Sequence, residues 1–226
     1  MKNAVYYCYK PKRSECSVLV TAIVPQKHDN SKQNIFIDNV FAFALVSQDV
    51  AYFKLKEGCE ISQEKYDFIQ NNLIYIKAQD TALYYLGYKM RTEAEVRKKL
   101  TEKEFSEDVI EKVMAFLAKY HYCDDKEYAV KFVKERLRLH PKGVYGLKME
   151  LRQKGIADKW ITEALEETDI DETTDAVMWI RKKTRGQDIA ALDEKQKRKI
   201  YAFLQRKGYR WHTISEAFAI AEEGEE

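Results

Sequence analysis

The chain has 226 residues, of which 45% are apolar and 34% are charged, and it contains 15 Tyr, 10 Phe and 3 Trp. This composition excludes collagen-like and low-complexity polymers and provides enough apolar surface for one or two folded domains. No apolar run reaches the roughly 20 residues that span a bilayer, and the N-terminus lacks the apolar stretch of a signal peptide. We therefore expect a cytoplasmic protein without a membrane segment.

The first part of the chain is predicted to contain a small β-sheet region. Residues 17–25 are apolar and β-branched, as is typical of strands. Residues 34–45 alternate in polarity around Asp38-Asn39, two residue types that tolerate a positive φ, and this pattern predicts a hairpin. Ser47 follows the second predicted strand and is expected to cap a short helix.

Helical spacing of apolar residues dominates from about residue 63 onward, after a predicted N-cap at Ser62. Thr92 and Glu95 have the spacing of a capping box, in which both side chains accept backbone N–H groups at a helix start. The chain contains only 3 Pro and 8 Gly, and this scarcity of helix breakers also favours long helices.

One pattern occurs three times in the helical part of the chain. In each copy a Leu is followed by Lys three residues later and by apolar residues after five, ten and fourteen residues. The copies are Leu100, Lys103, Phe105, Ile110 and Met114; Leu151, Lys154, Ile156, Ile161 and Leu165; and Leu204, Lys207, Tyr209, Ile214 and Phe218. Each copy predicts two helices joined by a short turn. Gly155 and Gly208 suit the left-handed position of that turn, where the first copy has Glu104.

A further helix is predicted before each copy, over residues 81–88, 126–139 and 173–183. The chain is therefore predicted to be mainly α, with three tandem three-helix repeats in an elongated curved arc, preceded by a small N-terminal region that contains a β-hairpin. The expected domains are an N-terminal β-containing region at 1–62, a first repeat with its lead-in helix at 63–122, a second repeat at 123–168, and a third repeat with an acidic tail at 169–226.

The net charge is only +2 at pH 7, but the charge is distributed in blocks. Residues 131–159 hold nine Lys and Arg against three Asp and Glu, a balance of +6. Residues 163–175 hold seven acids and no base, and residues 181–210 hold eleven bases against three acids, a balance of +8. Blocks of this kind create fields that attract a charged partner, although Lys and Arg also solvate ordinary helix faces.

The sequence lacks the common catalytic and nucleotide-binding motifs, such as GxxxxGK[ST], GxGxxG, HExxH and GxSxG. His121, Cys123, Asp124 and Asp125 lie close together, but their spacing fits no common zinc site, and the two Asp residues are expected to cap a helix. The four cysteines form no CxxC pair. We therefore expect no catalytic residue, no metal and no cofactor; an enzyme with an unrecognised site is an alternative.

The basic residues are the candidates for a surface that binds a partner or DNA. They are Lys89, Arg91, Arg97, Lys98, Arg136, Arg138, Lys142, Lys148, Arg152, Arg181, Lys182, Lys183 and Arg185. A basic helix end before a Gly-containing turn can bind an anion, and an acidic protein patch would be bound equally well. The many tyrosines could also stack on bases, but four of them fall on or beside helical core stripes and are predicted to pack in the core: Tyr84, Tyr85, Tyr128 and Tyr201.

Three stretches resemble the RecX family of recombinase regulators, namely residues 82–100, 123–143 and 147–165. The residues that carry the resemblance are Ala82, Leu86, Arg91, Thr92, Glu95 and Val96; Asp124, Asp125, Tyr128 and Ala129; and Lys142, Gly143, Leu151, Lys154, Gly155 and Ile156. Residues 35–45 resemble the hairpin that precedes the repeats in longer members. Glu104 and the Asp38-Asn39 turn depart from the family's usual residues, and the first 16 residues have no clear counterpart.

The resemblance implies three tandem three-helix repeats and a negative modulator of the RecA recombinase. Members of the family bind the RecA–DNA filament, lie in its helical groove, and suppress filament extension, ATP hydrolysis and strand exchange. The expected partner is the RecA filament, with single- or double-stranded DNA as a further contact, and we expect a monomer. The alternative is a helical-repeat protein that binds DNA directly through its basic faces.

Overall fold

A computed structural model of the protein describes residues 17–26, 30–185 and 187–223. The described residues separate into two units. The first unit consists of residues up to 91 together with 95–123, and the second consists of 92–94 together with the residues from 124 onward. The N-terminal extension that the sequence suggests lies outside the described residues, and the elongated arc and the four domain boundaries stay predictions.

The first unit begins with a four-stranded antiparallel sheet in the order β3-β2-β1-β4. Its strands are β1 (Ser17–Pro25), β2 (Lys32–Ile37), β3 (Val40–Val46) and β4 (Glu60–Ser62). The predicted hairpin is confirmed, because Asp38 and Asn39 form the turn between β2 and β3 with φ of 48° and 66°. Strand β4 was not predicted, since three residues are too few to show an alternating pattern.

The two predicted serine caps have different outcomes. Ser62 is the N-cap of α2 (Gln63–Ile69), and its hydroxyl oxygen accepts the N–H of Lys65 at 3.3 Å. The prediction for Ser47 was wrong, because this residue is the first helical residue of α1 (Ser47–Tyr52) and follows the N-cap Val46. The Ser47 hydroxyl instead donates to the carbonyl of Ser31 at 3.3 Å, which ties the start of α1 to the loop before β2.

Helix α2 continues without a break through a π-helical segment (Gln70–Ile74) into α3 (Tyr75–Leu86). The predicted helix over 81–88 therefore began too late, because nothing between residues 63 and 86 interrupts the backbone hydrogen bonding. Helix α3 is the first helix of the first repeat. The other helices are α4 (Glu93–Glu102), α5 (Glu107–Lys119), α6 (Asp125–Leu139), α7 (Val144–Gln153), α8 (Asp158–Glu166), α9 (Glu172–Thr184), α10 (Glu194–Arg206) and α11 (Trp211–Glu223).

The three tandem three-helix repeats are confirmed. In each repeat the first helix packs against the third, so that α3 contacts α5, α6 contacts α8, and α9 contacts α11. Buried apolar side chains from all three helices of each repeat form the cores, which include Leu100 and Leu117 in the first unit and Leu151 and Ile180 in the second. The fold is mainly α with a small N-terminal antiparallel sheet, as the sequence predicted.

The turn inside each repeat has one geometry, as the shared pattern predicted. The residue at the left-handed position has a φ of 61° (Glu104), 81° (Gly155) or 89° (Gly208). The N–H of the following residue donates to the carbonyl five residues earlier, at N···O distances of 3.3, 3.1 and 3.1 Å. The N–H of the left-handed residue itself donates to the carbonyl three residues earlier. This pair of bonds is the Schellman motif, which satisfies the last carbonyls of a helix.

Two further helix starts bear on the sequence analysis. Asp124 is the N-cap of α6 and accepts the N–H of Glu127 at 3.0 Å, so the predicted capping role is confirmed for this residue. Asp125 does not cap α6: it is the first residue of that helix, and its carboxylate accepts the N–H of Glu93 at 2.9 Å. Thr92, which the sequence predicts to cap α4, is fully buried, and its hydroxyl donates to the carbonyl of Lys154 at 2.7 Å. This bond lies within the second unit and fixes the residue beside the Schellman turn of the second repeat.

The predicted burial of four tyrosines is wrong for one of them. Tyr85, Tyr128 and Tyr201 are half-buried and pack against the core of their own repeat. Tyr84 has 70% of its surface exposed and lies outside the core. The buried positions of α3 are Ala78 and Ala82, and Tyr84 lies two residues beyond Ala82, about 200° around the helix and thus on the opposite side.

Acidic side chains crowd the start of α9, at the end of the negative block. Asp171 is the N-cap and accepts the N–H of Thr174 at 2.9 Å, and Glu172 accepts the N–H of Val144 at 2.7 Å. Asp175 lies one turn further along and is partly buried. Its burial, together with the negative charges of Asp171 and Glu172, raises the pKa of Asp175 to about 6.

We expect Asp175→Asn to stabilise the protein at neutral pH. The fold raises the pKa of this carboxyl from 3.8 to about 6, so its contribution to stability is fully present below pH 3.8 and is lost as the pH rises through about 6. Asn does not ionise and avoids this loss. After a discount for solvent screening we expect a gain of about 1 kcal/mol at neutral pH and none near pH 3.5.

The measurement is the thermal unfolding midpoint of both proteins across that pH range. Asp169→Asn, which removes the same charge at an exposed neighbouring position, is the matched control and is expected to change the stability by less than about 0.5 kcal/mol. A stability difference between Asp175→Asn and the parent that does not change with pH would contradict the prediction.

Candidate interaction surface

Four of the predicted basic residues lie in the first unit. Arg97 on α4 pairs with Glu111 on α5, with one guanidinium nitrogen 3.1 Å from Oε2 and the other in contact with Oε1. The guanidinium of Arg91 lies over the ring of Tyr85, with Cζ 4.1 Å from the ring centroid. Arg97 therefore joins two helices of the fold. The remaining two are exposed: Lys89 and Lys98.

Glu150 in the second unit binds two more of the predicted residues. Arg136 Nε lies 2.9 Å from Glu150 Oε2, and Lys142 Nζ contacts Glu150 Oε1. Burial raises the pKa of Glu150, but the hydrogen bonds and positive charges of Lys142 and Arg136 outweigh this effect, and the net result is a pKa below the usual range. Arg136 thus connects α6 to α7, and Lys142 connects the loop between these helices to α7. Reversing both charges would place three carboxylates together.

A third internal ion pair spans the Schellman turn of the second repeat. Arg152 at the end of α7 forms two hydrogen bonds with Asp158 at the start of α8, at 2.7 and 3.2 Å. This pair is exposed and contributes little stability by itself. The remaining candidates of the second unit are exposed or half-buried and form no ion pair within 4 Å of an acid among the described residues: Arg138, Lys148, Arg181, Lys182, Lys183 and Arg185.

Two of these candidates belong to a group of lysines and aromatic rings in the third repeat, which we call the lysine–aromatic cluster: Trp179, Lys182, Lys183, Phe203 and Lys207. The two rings meet edge to face, with centroids 5.5 Å apart. Lys207 Nζ lies 3.9 Å and Lys182 Nζ 5.0 Å from the Trp179 ring centroid, while Lys183 Nζ lies 4.3 Å from the Phe203 centroid. Three ammonium groups therefore surround two rings.

The position of Trp179 is fixed by a hydrogen bond from its indole N–H to the carbonyl of Pro141, at 3.1 Å. Pro141 precedes Lys142, so the basic segment before α7 lies at the edge of the cluster. Aromatic faces stabilise nearby ammonium groups without neutralising them. The cluster thus keeps its positive charge while its lysines are held in place.

The positive charges in the cluster repel one another. Burial and the positive charges of Lys142, Lys182 and Lys183 lower the pKa of Lys207, while Glu150 raises it. Burial and the surrounding cations together outweigh the one carboxylate, so the pKa of Lys207 stays below its ordinary value. An anion from a partner would relieve this repulsion, because it would add the missing negative charge.

A groove of about 490 Å³ extends along α9 and α10 beside the cluster. Lys183, Lys199 and Arg206 line it together with Phe203 and uncharged side chains, and none of its described lining residues is acidic. The arrangement can bind an acidic or phosphate-bearing surface through several cations at once. It offers no pair of groups placed for proton transfer or nucleophilic attack.

The sequence analysis missed part of this surface. The candidates selected from the sequence do not include Trp179, Phe203, Lys199, Arg206 or Lys207. Lys207 could have been found, because it is the Lys of the repeat pattern and precedes Gly208 in a strongly basic block. Its position over the Trp179 ring depends on how α9 and α10 pack, and no spacing in the sequence contains that information.

Two features that would indicate other functions are absent from the described residues. No group of three or more His, Cys, Asp or Glu side chains in these residues could hold a metal ion. None of the helices that the structure describes is long and apolar enough to cross a membrane.

A small antiparallel sheet followed by three tandem three-helix repeats defines the class of protein: a helical-repeat protein with a cationic surface. Four family models match the chain in sequence order. They are the regulatory protein RecX N-terminal domain at residues 18–62, and the first, second and third RecX three-helix domains at 78–117, 124–165 and 171–218. The chain therefore belongs to the RecX family.

Curated relatives named "Regulatory protein RecX" agree with this assignment. The protein from Clostridioides difficile (strain 630) is 34% identical over 87% of this chain and 92% of its own length. The protein from Bacillus subtilis (strain 168) is 35% identical over 88% of this chain and 75% of its own length. The family is thus one of regulatory proteins.

Solved structures of the family share the fold. A crystal structure of regulatory protein RecX matches with a TM-score of 0.60 and 26% identity, covering 91% of this chain and 99% of that chain. The structure of RecX from Lactobacillus salivarius matches with a TM-score of 0.59 and 27% identity, covering 66% of this chain and 97% of that chain.

Proposed function

We propose that this protein binds the filament that the RecA recombinase forms on DNA and inhibits filament extension, ATP hydrolysis and strand exchange. Membership of a family of regulatory proteins supports this role. The observation that carries the proposal is the lysine–aromatic cluster, in which three ammonium groups surround two rings beside a groove with no acid among its described lining residues. A nucleoprotein filament supplies negative charge on both its protein and its phosphates.

The proposal includes a non-enzymatic mode of action. The protein acts by occupying a surface of the filament, as a monomer. By inhibiting recombinase filaments it modulates DNA recombination, DNA repair and the SOS response. Its location follows from its partner: a protein that binds filaments on chromosomal DNA works in the cytoplasm.

The experiment that tests the proposal is the DNA-dependent ATPase rate of the cognate RecA during titration with the full chain. We expect the rate to fall as the protein is added. Inhibition well below one molecule per RecA would favour a mechanism that blocks filament ends or disassembles filaments. Inhibition only near stoichiometric amounts would favour occupancy along the filament groove.

The contradicting outcome is an unchanged ATPase rate at saturating protein. If the same preparation then bound bare DNA in a salt-sensitive manner, the alternative of a direct DNA-binding protein would replace the proposal. Counterion release makes phosphate-driven binding fall steeply with salt, so a salt titration identifies it.

A further inference from the structure

Two tyrosines on the first repeat are exposed to an unusual degree for aromatic residues. Tyr84 and Tyr88 have 70% and 67% of their surface exposed. Their rings meet edge to face with centroids 5.0 Å apart, and the hydroxyl of Tyr88 donates to that of Tyr84. Each ring therefore holds the other in position while ring surface remains open to solvent. The core of the first unit makes no use of either side chain.

Cations surround this tyrosine pair. A groove of about 820 Å³ along α3 and α4 is lined by both tyrosines and by four basic residues against one acid, a balance of +3. These charged residues are Lys77, Asp80, Arg91, Lys99 and Lys103. All of them belong to the first unit, so the groove does not depend on the second unit.

One wall of the groove is a cation–π stack. The Arg91 guanidinium lies 4.1 Å and the Lys99 ammonium 5.7 Å from the centroid of the Tyr85 ring. Lys99 Nζ also lies 3.9 Å from Glu102 Oε2, and this long contact compensates the charge of Lys99 only in part. No carboxylate among the described residues pairs with Arg91. The groove thus presents positive charge beside aromatic faces.

We propose that this groove, the tyrosine groove, binds single-stranded nucleic acid, with Tyr84 and Tyr88 stacking on bases and the surrounding cations meeting phosphates. Single strands are the polymer whose chemistry alternates anionic groups with flat aromatic faces along one chain, and stacking platforms with basic grooves are how proteins bind them. A duplex keeps its bases stacked internally and would leave the tyrosine rings unused. A small anion would likewise use the cations alone.

This inference goes beyond the proposed function, because the binding requires no recombinase. It assigns a nucleic-acid contact to the first repeat, whereas the lysine–aromatic cluster that supports recombinase binding lies in the third. The two surfaces share no residue. Each can therefore be removed by substitution while the other is kept.

The test is fluorescence anisotropy of a labelled oligothymidylate titrated with the full chain in the absence of any recombinase. We expect binding that weakens with salt, and the double variant Tyr84→Ala, Tyr88→Ala should raise Kd roughly tenfold or more, the loss expected for stacked bases. Tyr84→Phe with Tyr88→Phe keeps both rings and should bind nearly as tightly as the parent. Lys99→Glu with Lys103→Glu should weaken binding and lower the salt dependence.

The matched control is Tyr52→Ala with Tyr120→Ala, which removes two exposed tyrosines of the same unit outside the groove. We expect this variant to bind like the parent. The tyrosine variants should keep the parent's thermal unfolding midpoint within a few degrees, because the substituted rings are exposed. The midpoint of the lysine variant is measured as well, since Lys99 is half-buried. An alanine variant that unfolds would be replaced by Tyr84→Ser, Tyr88→Ser, which keeps a polar surface.

Three results would overturn the inference. They are no binding of the oligonucleotide even at low salt, equal affinity for the alanine and phenylalanine variants, and equal binding of duplex and single strand. If the alanine variant bound the oligonucleotide normally but no longer inhibited RecA, the groove would serve a protein partner and the nucleic-acid assignment would be wrong. Loss of oligonucleotide binding with normal RecA inhibition would support the inference whatever the fate of the proposed function.

Discussion

Replacement of Gly208 by Ala is expected to destabilise the protein by roughly 3–5 kcal/mol, the largest single effect that the structure indicates. Gly208 has a φ of 89°, which an alanine adopts only with strain. A Cβ at this position would lie 2.1 Å from the backbone nitrogen of Gly146 and 2.4 Å from its Cα. These are backbone atoms of α7, so no side-chain rotation relieves the overlap.

The contact around Gly208 is reciprocal. A Cβ on Gly146 would lie 2.4 Å from the carbonyl oxygen of Lys207, and one on Gly143 would lie 2.3 Å from the carbonyl oxygen of Gly208. The N–H of Gly143 also donates to the Lys207 carbonyl at 3.2 Å. Because Gly143, Gly146 and Gly208 have no side chains, the backbone at the start of α7 contacts the backbone of the Schellman turn in the third repeat.

Substitutions at two other glycines distinguish backbone strain from close contact as the cause of the expected loss of stability. Gly58 has a φ of 73° but nothing within 4 Å of its would-be Cβ, so Gly58→Ala should cost about 1 kcal/mol from backbone strain alone. Gly143 has a φ of −65°, so Gly143→Ala carries the close contact without that strain.

Thermal and denaturant unfolding of the three variants is the measurement, with a fall in midpoint on the order of 10 °C for Gly208→Ala. Equal losses for Gly208→Ala and Gly58→Ala would show that the close contact does not form in solution.

Reversal of two charges in the lysine–aromatic cluster is expected to abolish most of the inhibition of RecA. Lys182→Glu with Lys183→Glu places two carboxylates where the structure holds ammonium groups over Trp179 and Phe203. An acidic partner surface then meets like charge, and we expect the concentration for half-inhibition of the RecA ATPase to rise roughly 10–100-fold. Both side chains are exposed, so the fold should survive.

The control has the same change in net charge at positions outside the cluster and its groove. Lys134→Glu with Arg198→Glu reverses two exposed cations of the second unit and is expected to inhibit RecA almost as well as the parent. Circular dichroism and the unfolding midpoint verify that both double variants are folded. Equal weakening by the two double variants would assign the effect to net charge and would contradict a role for the cluster.

Arg136 and Lys142 are poor positions for such a test, although the sequence places them in the same basic block. Both bind Glu150, and reversing them would leave that half-buried carboxylate among new negative charges. A loss of inhibition would then reflect a damaged connection between α6 and α7. The distinction between a structural cation and an available one is therefore needed before charge reversal can be interpreted.

The sequence by itself determined the repeat and its turns, because these depend on residues close together in the chain. The spacing from Leu to Lys to the next apolar residue encodes a helix end, a left-handed residue and a helix start, and the three Schellman turns follow it at Glu104, Gly155 and Gly208. The hairpin at Asp38-Asn39 is equally local. Backbone conformation, hydrogen bonds within a turn and the burial stripe of one helix are set by neighbours, and so a pattern can predict them.

Only the tertiary structure decided which cations and rings are available to a partner. Tyr84, on the side of α3 opposite the buried Ala82, and Tyr88, beyond the end of α3, lie at the surface. Glu150 engaged Arg136 and Lys142, while Lys207 came to lie over Trp179, 28 positions earlier in the chain. The physical reason is that ion pairs and cation–π contacts form between separate helices, whose approach is fixed by their buried faces and not by the polar residues that the approach brings together.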